Sequence, residues 1–207
     1  MVNVSNLPNS TDGNQFAIGR KCDASNSPDG MNSFLRIPEL MWDPDRKEYL
    51  ILWSSTIQSE FDDDDQSKDM HGYDHRSYAS RTKDFKTFTA PGLFFSPDPE
   101  CSVIDPYIAH DNRNTQDTAD DRWVMVIKHE LKPERGGKNL RLTFSKQMQG
   151  PYHPKLGPPI VGAGTSIVNQ MGEGPSLFKR GKTWFLYWDA PGSEFSYCLA
   201  TSPDLMT

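Results

Sequence analysis

The chain has 207 residues, enough for one sizeable domain or part of a larger one, and carries a formal net charge of −6. Seven acidic and two basic side chains fall between Gln58 and Arg76, so this stretch holds −5 of that charge and the rest is nearly neutral. Nothing resembles the basic footprint of a nucleic-acid or anionic-membrane binder. The longest apolar runs, such as Tyr49 to Trp53, are far below the roughly 20 residues that a membrane-spanning helix needs.

The N-terminus, MVNVSNLPNSTDGNQF, lacks the basic start and apolar middle of a secretion signal. Compartment stays open, as an intracellular protein and a chain starting after its signal look alike here. Residues 1–33, rich in Asn, Ser, Asp and Gly, are expected to form a loosely ordered leader. Patterned sequence starts near Phe34 and continues to Thr207 without a linker, so 34–207 is read as one domain. Cys22, Cys101 and Cys198 are too far apart for a local metal knuckle and odd in number, so at most one pair could be bridged, and buried or free thiols are expected.

From Phe34 an acidic-proline element recurs: Pro38-Glu39, then Asp105-Pro106, then Glu173-Gly174-Pro175, with prolines 68 and 69 residues apart. After each comes the same series of a short apolar run, a polar turn, a β-rich run containing Trp, a variable loop and a third run. The first copy is PELMWD, EYLILWSS and SYASRTKDFKTF. The second is DPYIAHD, RWVMVIKHE and NLRLTFSKQMQGPY, and the third is GPSLFKRG, TWFLYWDA and SYCLATSPDLMT. A fixed period means one supersecondary unit used repeatedly. That unit is predicted to be about three antiparallel strands, consistent with 16 Pro and 15 Gly punctuating short segments.

The central runs, Tyr49 to Trp53, Trp123 to Ile127 and Trp184 to Trp188, are apolar on both faces. Such a strand lies between two other sheets. This predicts an all-β fold of the propeller type, in which every blade packs on two neighbours around a channel. An immunoglobulin-like sandwich would leave one face alternately polar. In a propeller the first strands line the channel, so Glu39, Asp105 and Glu173 are expected at one mouth of the axis.

Carboxylates converging on a funnel repel each other, and burial adds to the cost of ionisation, so at least one should hold its proton near neutrality. Glu173 is the best candidate acid, because Gly172 and Gly174 leave room for a substrate. Asp105, before Pro106, has a stiff backbone. Glycoside cleavage needs two carboxyl groups, one protonating the leaving oxygen and one activating water or attacking the sugar. The bland alternative is that acidic residues before prolines simply begin strands. Trp42, beside the first acidic element, is the tryptophan best placed to stack on a sugar, with the others expected in the core. His110 and His129 are read as hydrogen-bonded structural residues, and Lys128 and Arg141 as possible channel groups. The run Asp62 to Asp65 with His71, Tyr73, Asp74 and His75 lacks calcium-loop spacing and is read as a solvated insertion, so no metal is assigned.

The segments PELMWDPDRKEYLILWSSTI, TKDFKTFTAPGLFFSPDPECSVIDPYIAHD, KNLRLTFSKQMQGPY and EGPSLFKRGKTWFLYWDA resemble consecutive blades of glycoside hydrolase family 43, from about Phe34 to Thr207. The resemblance implies a five-bladed β-propeller, with about three blades in this chain, acting on arabinose-, xylose- or galactose-containing oligosaccharides or polysaccharides without a cofactor. It implies that Glu173, in a Glu-Gly-Pro element, is the general acid. Asp105, in an Ile-Asp-Pro element, would tune and orient it in an inverting mechanism with water as nucleophile, and Glu39, in the equivalent element of the first copy, is read as a substrate-side carboxylate. The family's general base is an Asp before a Pro early in the first blade. Asp12, Asp23 and Asp29 do not match that element, so the base is unassigned. Five blades at this period need about 300 residues, so an incomplete ring is expected. A carbohydrate-binding propeller without catalysis, or a fragment lacking the base, is the alternative.

Overall fold

The computed structural model describes residues 36–55, 75–98, 101–130, 138–165, 172–190 and 196–205. The leader at 1–33 and most of the acidic stretch, Asp62 to Asp65 included, lie outside the described residues.

Among the described residues the strands form three antiparallel sheets, one per sequence copy. The first sheet runs β1 (Arg36–Asp43), β2 (Glu48–Ser55), β3 (Arg76–Thr82), β4 (Gly92–Phe95). The second runs β5 (Val103–Asp111), β6 (Arg122–His129), β7 (Asn139–Ser145), β8 (Pro159–Gly162), and the third β9 (Glu173–Arg180), β10 (Thr183–Ala190), β11 (Ser196–Ser202). These are three consecutive blades of a β-propeller. Two have a fourth strand beyond the three expected. β4 and β8 are four residues each and pair at a blade edge, and prolines flank or open them, so they carry little alternating pattern.

The middle strands explain the stacking. On β6, Met125 and Ile127 enter a core shared with the first blade, with Leu50, Leu52, Val103 and Ile108. Val124 and Val126 enter a second core shared with the third blade, with Leu140, Leu177, Trp184 and Trp188. Side chains on a strand alternate between faces, so burial on both faces requires a blade on each side. β10 shows what happens without a second neighbour: Trp184, Leu186 and Trp188 are buried, whereas Phe185 and Tyr187 on the other face are only half-buried.

The first strands share one irregularity. Ile104 lies opposite Lys128 and Tyr107 opposite Val126, so three steps on β5 match two on β6. The same count separates Arg36 and Glu39 on β1, and Glu173 and Ser176 on β9. Each is a β-bulge built around the repeated proline, which has no N–H for the ladder. In this register Ile37, Asp105 and Gly174 are equivalent. The three carboxyls of the sequence repeat therefore occupy different places: Glu39 follows its proline, Asp105 precedes its own, and Glu173 stands two before.

Candidate active site at the bulged ends of the first strands

Strand β5 packs against both β1 and β9, which brings the bulged ends of all three together. Asp105 is at the centre. It is only 5% exposed, with a left-handed φ of 53° unusual for a residue that is not glycine. Its Oδ2 accepts a 3.1 Å hydrogen bond from the backbone N–H of Gly174 in the next blade. Gly174 itself has φ 52°, and a Cβ there would come within 3.3 Å of Asp189 Oδ2, so glycine suits both the backbone and the space. The bond fastens the bulge of one blade to that of the next, and it sets Glu173 beside Asp105.

Burial pushes the Asp105 carboxyl above the ordinary aspartate range, and the charges of Glu173 and Glu130 add to this. The Gly174 N–H and the Lys128 ammonium oppose it without reversing it. The Oδ1 atom is buried and has no hydrogen-bond partner among the described residues, an arrangement that favours a protonated oxygen with its own donor. Glu39 is half-buried, and its carboxyl is also held above the usual range, first by burial and then by the charge of Asp105. Tyr107, equivalent to Glu39 in the bulge, has its phenol raised by burial and by Glu39.

The third carboxyl, Glu173, is about a third exposed, at 34%, and accepts from the Lys128 ammonium. Lys128 is 1% exposed and also lies 2.6 Å from Glu130 Oε1, while the other oxygen of Glu130 meets Lys138 at 2.9 Å. Burial raises the Glu130 carboxyl, but the two lysines outweigh it and hold the group below the glutamate range. Sequence reasoning named Lys128 only as a possible channel group and missed Glu130. The signal was the polar triplet Lys128-His129-Glu130 at the end of an apolar strand, at the level of Ile104, Val103 and Ser102.

Other expected residues lie elsewhere. Trp42 shares the outer face of β1 with Leu40, is 49% exposed and packs edge-on against Tyr49 at 5.0 Å. Glu39 and Met41 face the other way, so the structure does not bring Trp42 to the carboxyl cluster. His110 is near the opposite end of β5, 3.3 Å from Asp121, with its ring tilted against Trp123 at 4.9 Å between centroids. His129 Nε2 contacts Cys101 Sγ at 2.9 Å, and burial together with the Arg141 charge pulls its pKa down to about 4, so the ring is neutral at pH 7. Arg141 bonds Asn139 at 2.8 Å and the Gly157 carbonyl at 3.1 Å, holding the outer part of its blade. Two clefts are lined by Arg113, Phe144 and His153 and by His110, Trp123 and Lys146, away from the carboxyl cluster.

Three consecutive blades, each with a bulge at the proline of its first strand, place the chain in the β-propeller class. A family model described as "Probable glycosyl hydrolase domain", related to glycoside hydrolase family 43, matches residues 7–207, and the chain belongs to that family. The match reaches into the segment read as a leader. No curated protein matches the sequence. Among solved structures, similarity is found to an α-L-arabinofuranosidase from Lactobacillus brevis, with 16% identity, TM-score 0.59, and coverage of 86% of this chain and 53% of that one. An endo-arabinase from Bacteroides thetaiotaomicron gives 17% identity, TM-score 0.51 and coverage of 86% and 57%. A xylan β-1,4-xylosidase from Bacillus halodurans gives 19%, 0.53, and 84% and 29%. At such identities the likeness establishes the fold. The chain spans little more than half the length of the first two.

Proposed function

We propose that this domain hydrolyses O-glycosidic bonds in arabinose-, xylose- or galactose-containing glycans by an inverting mechanism. Glu173 is the general acid, Asp105 tunes and orients it, and Glu39 is a carboxyl on the substrate side of the mouth. The observation that carries this reading is the inter-blade bond from Gly174 N–H to Asp105, which sets the partly exposed Glu173 beside a buried carboxyl with raised pKa. Family membership, and an endo-arabinase, an α-L-arabinofuranosidase and a xylan β-1,4-xylosidase among the structural neighbours, favour arabinose and xylose among these sugars. Protonation of the leaving oxygen is worth about 10²–10⁴-fold. A panel of chromogenic arabinosides, xylosides and galactosides tests the assignment. Glu173→Gln is expected to lose that factor on its substrate with Tm within about 2 °C of wild type. Undiminished hydrolysis by the variant would remove Glu173 from the acid role.

One observation favours a second reading, a carbohydrate-binding propeller without catalysis. The base of an inverting mechanism must be ionised, and the other two carboxyls of the mouth, Asp105 and Glu39, are both held above their ordinary range. Calorimetric binding of oligosaccharides by well-folded protein that releases no sugar would decide for it.

A further inference from the structure

Lys128 is among the largest fully buried side chains of the described residues, and it is charged. An ammonium removed from water is tolerated only where opposite charges and hydrogen bonds compensate it. Here Asp105 comes from β5, Glu130 from the residue just after β6 and Glu173 from β9. Lys138, just before β7, binds Glu130 from behind, and Glu39 on β1 acts on the cluster through Asp105. The neutral His129 feels the charges of both Glu130 and Arg141.

The two glutamates differ in freedom. Glu130 is 6% exposed and holds two lysines, so it serves as a fixed anchor, whereas Glu173 is open to the mouth. The series Lys138, Glu130, Lys128, Glu173 thus runs from the body of the second blade to the proposed acid in the third. Each member restrains the next.

Resting on the acid role of Glu173, we infer that Lys128 is the positioning residue of the acid step. It fixes the orientation of the Glu173 carboxyl and stabilises the carboxylate that forms as the proton leaves. In that step the Glu173 O–H bond breaks as a new O–H bond forms on the glycosidic oxygen. The electron pair of the bond from the anomeric carbon goes to that oxygen. Water bonds to the anomeric carbon, and the proton it loses passes to the general base, a role to which no residue of this chain is assigned. Negative charge appears on Glu173 within hydrogen-bond reach of a cation already oriented and dry, the condition under which electrostatic stabilisation is strongest.

The test uses the full chain and two aryl glycosides of the accepted sugar, one with a 2,4-dinitrophenyl group that departs without protonation and one with a poorly acidic phenol that requires it. Lys128→Met is expected to lose about 10²-fold in kcat on the poor leaving group, with KM nearly unchanged, and less than about 5-fold on the good one. Lys128→Arg should recover part of the loss. A structural role would depress both substrates alike, and equal losses overturn the inference while leaving the hydrolase reading intact. Wild-type protein inactive on both substrates overturns that reading, and this inference with it. Independently of activity, ¹³C titration of the carboxyl groups should show the Asp105 and Glu130 midpoints rising in Lys128→Met. Unmoved midpoints refute the placement of the cation. If Lys128→Met does not fold, Glu130→Gln, which releases the anchor, should show the same selectivity for the poor leaving group.

Discussion

Strand β5 carries two aspartates six residues apart, and they behave oppositely. Asp105 at the bulged end is 5% exposed and Asp111 at the turn is 3% exposed, so burial does not separate them. Burial raises Asp111 too, but Arg122 at 2.9 Å, the Arg113 N–H at 3.0 Å and Lys179 at 3.1 Å overcome it and hold the carboxyl below the aspartate range. Asp105 has one N–H and a share in an ammonium already engaged by two glutamates, and it stays above that range. Counter-charge, not depth, decides the sign. The satisfied end serves as scaffold, and the unsatisfied end is where chemistry concentrates.

The largest expected effect that tests this contrast is on turnover. Asp105→Asn should reduce hydrolysis by about 10²-fold or more, because the neighbouring acid loses the titratable carboxyl that tunes it. Wild-type rates in that variant would reduce Asp105 to a structural role. Next comes Asp111→Asn, which leaves Arg122 and Lys179 facing a neutral group. Since both cations retain some access to water, about 2–3 kcal/mol is expected, read as a Tm lower by about 5–10 °C. Gly174→Ala forces a side chain into a left-handed backbone beside Asp189 and should cost about 1–2 kcal/mol in chemical denaturation. Smallest, and opposite in sign, Asp105→Asn should raise Tm by about 2–4 °C at neutral pH, since asparagine tolerates the same φ and carries no buried charge.

Measurement of unfolding free energy against pH sharpens the two signs. A depressed carboxyl contributes stability that is present above its unfolded value and lost as pH falls through the folded one. The deficit of Asp111→Asn should therefore be full at pH 6–7 and close below about pH 4. A raised carboxyl favours the folded state when protonated, and that contribution disappears as pH rises through the folded value. The advantage of Asp105→Asn should be absent below about pH 4 and grow above it. Parallel curves for the two variants would refute the contrast.

Much of this architecture was legible in the sequence, for physical reasons. Runs such as WVMVI bury both faces only between two sheets, and a 68-residue recurrence of an acidic-proline pair marks equivalent strands. The fourth strands were not legible because four-residue edge strands bounded by proline leave no periodicity. Asp105 and Glu173 were visible through their prolines. The network of Lys128, Glu130 and Lys138 was not, since it depends on which side chains meet across β5, β6 and β9 rather than on any spacing. Trp42 looked close to Glu39 in the chain, but three residues along a strand turn a side chain to the opposite face.

The shared bulge also makes the repeat a set of addresses. One backbone distortion occurs in three blades, yet the acidic residue sits after the proline in one, directly before it in another and two before it in the third. Evolution or design can thus redistribute carboxyls around a channel by exchanging residue types at fixed coordinates, without rebuilding a loop. Ile37 and Ile104 occupy slots that hold Asp105 and Glu173 in other blades, and they are the positions at which such a transplant would begin.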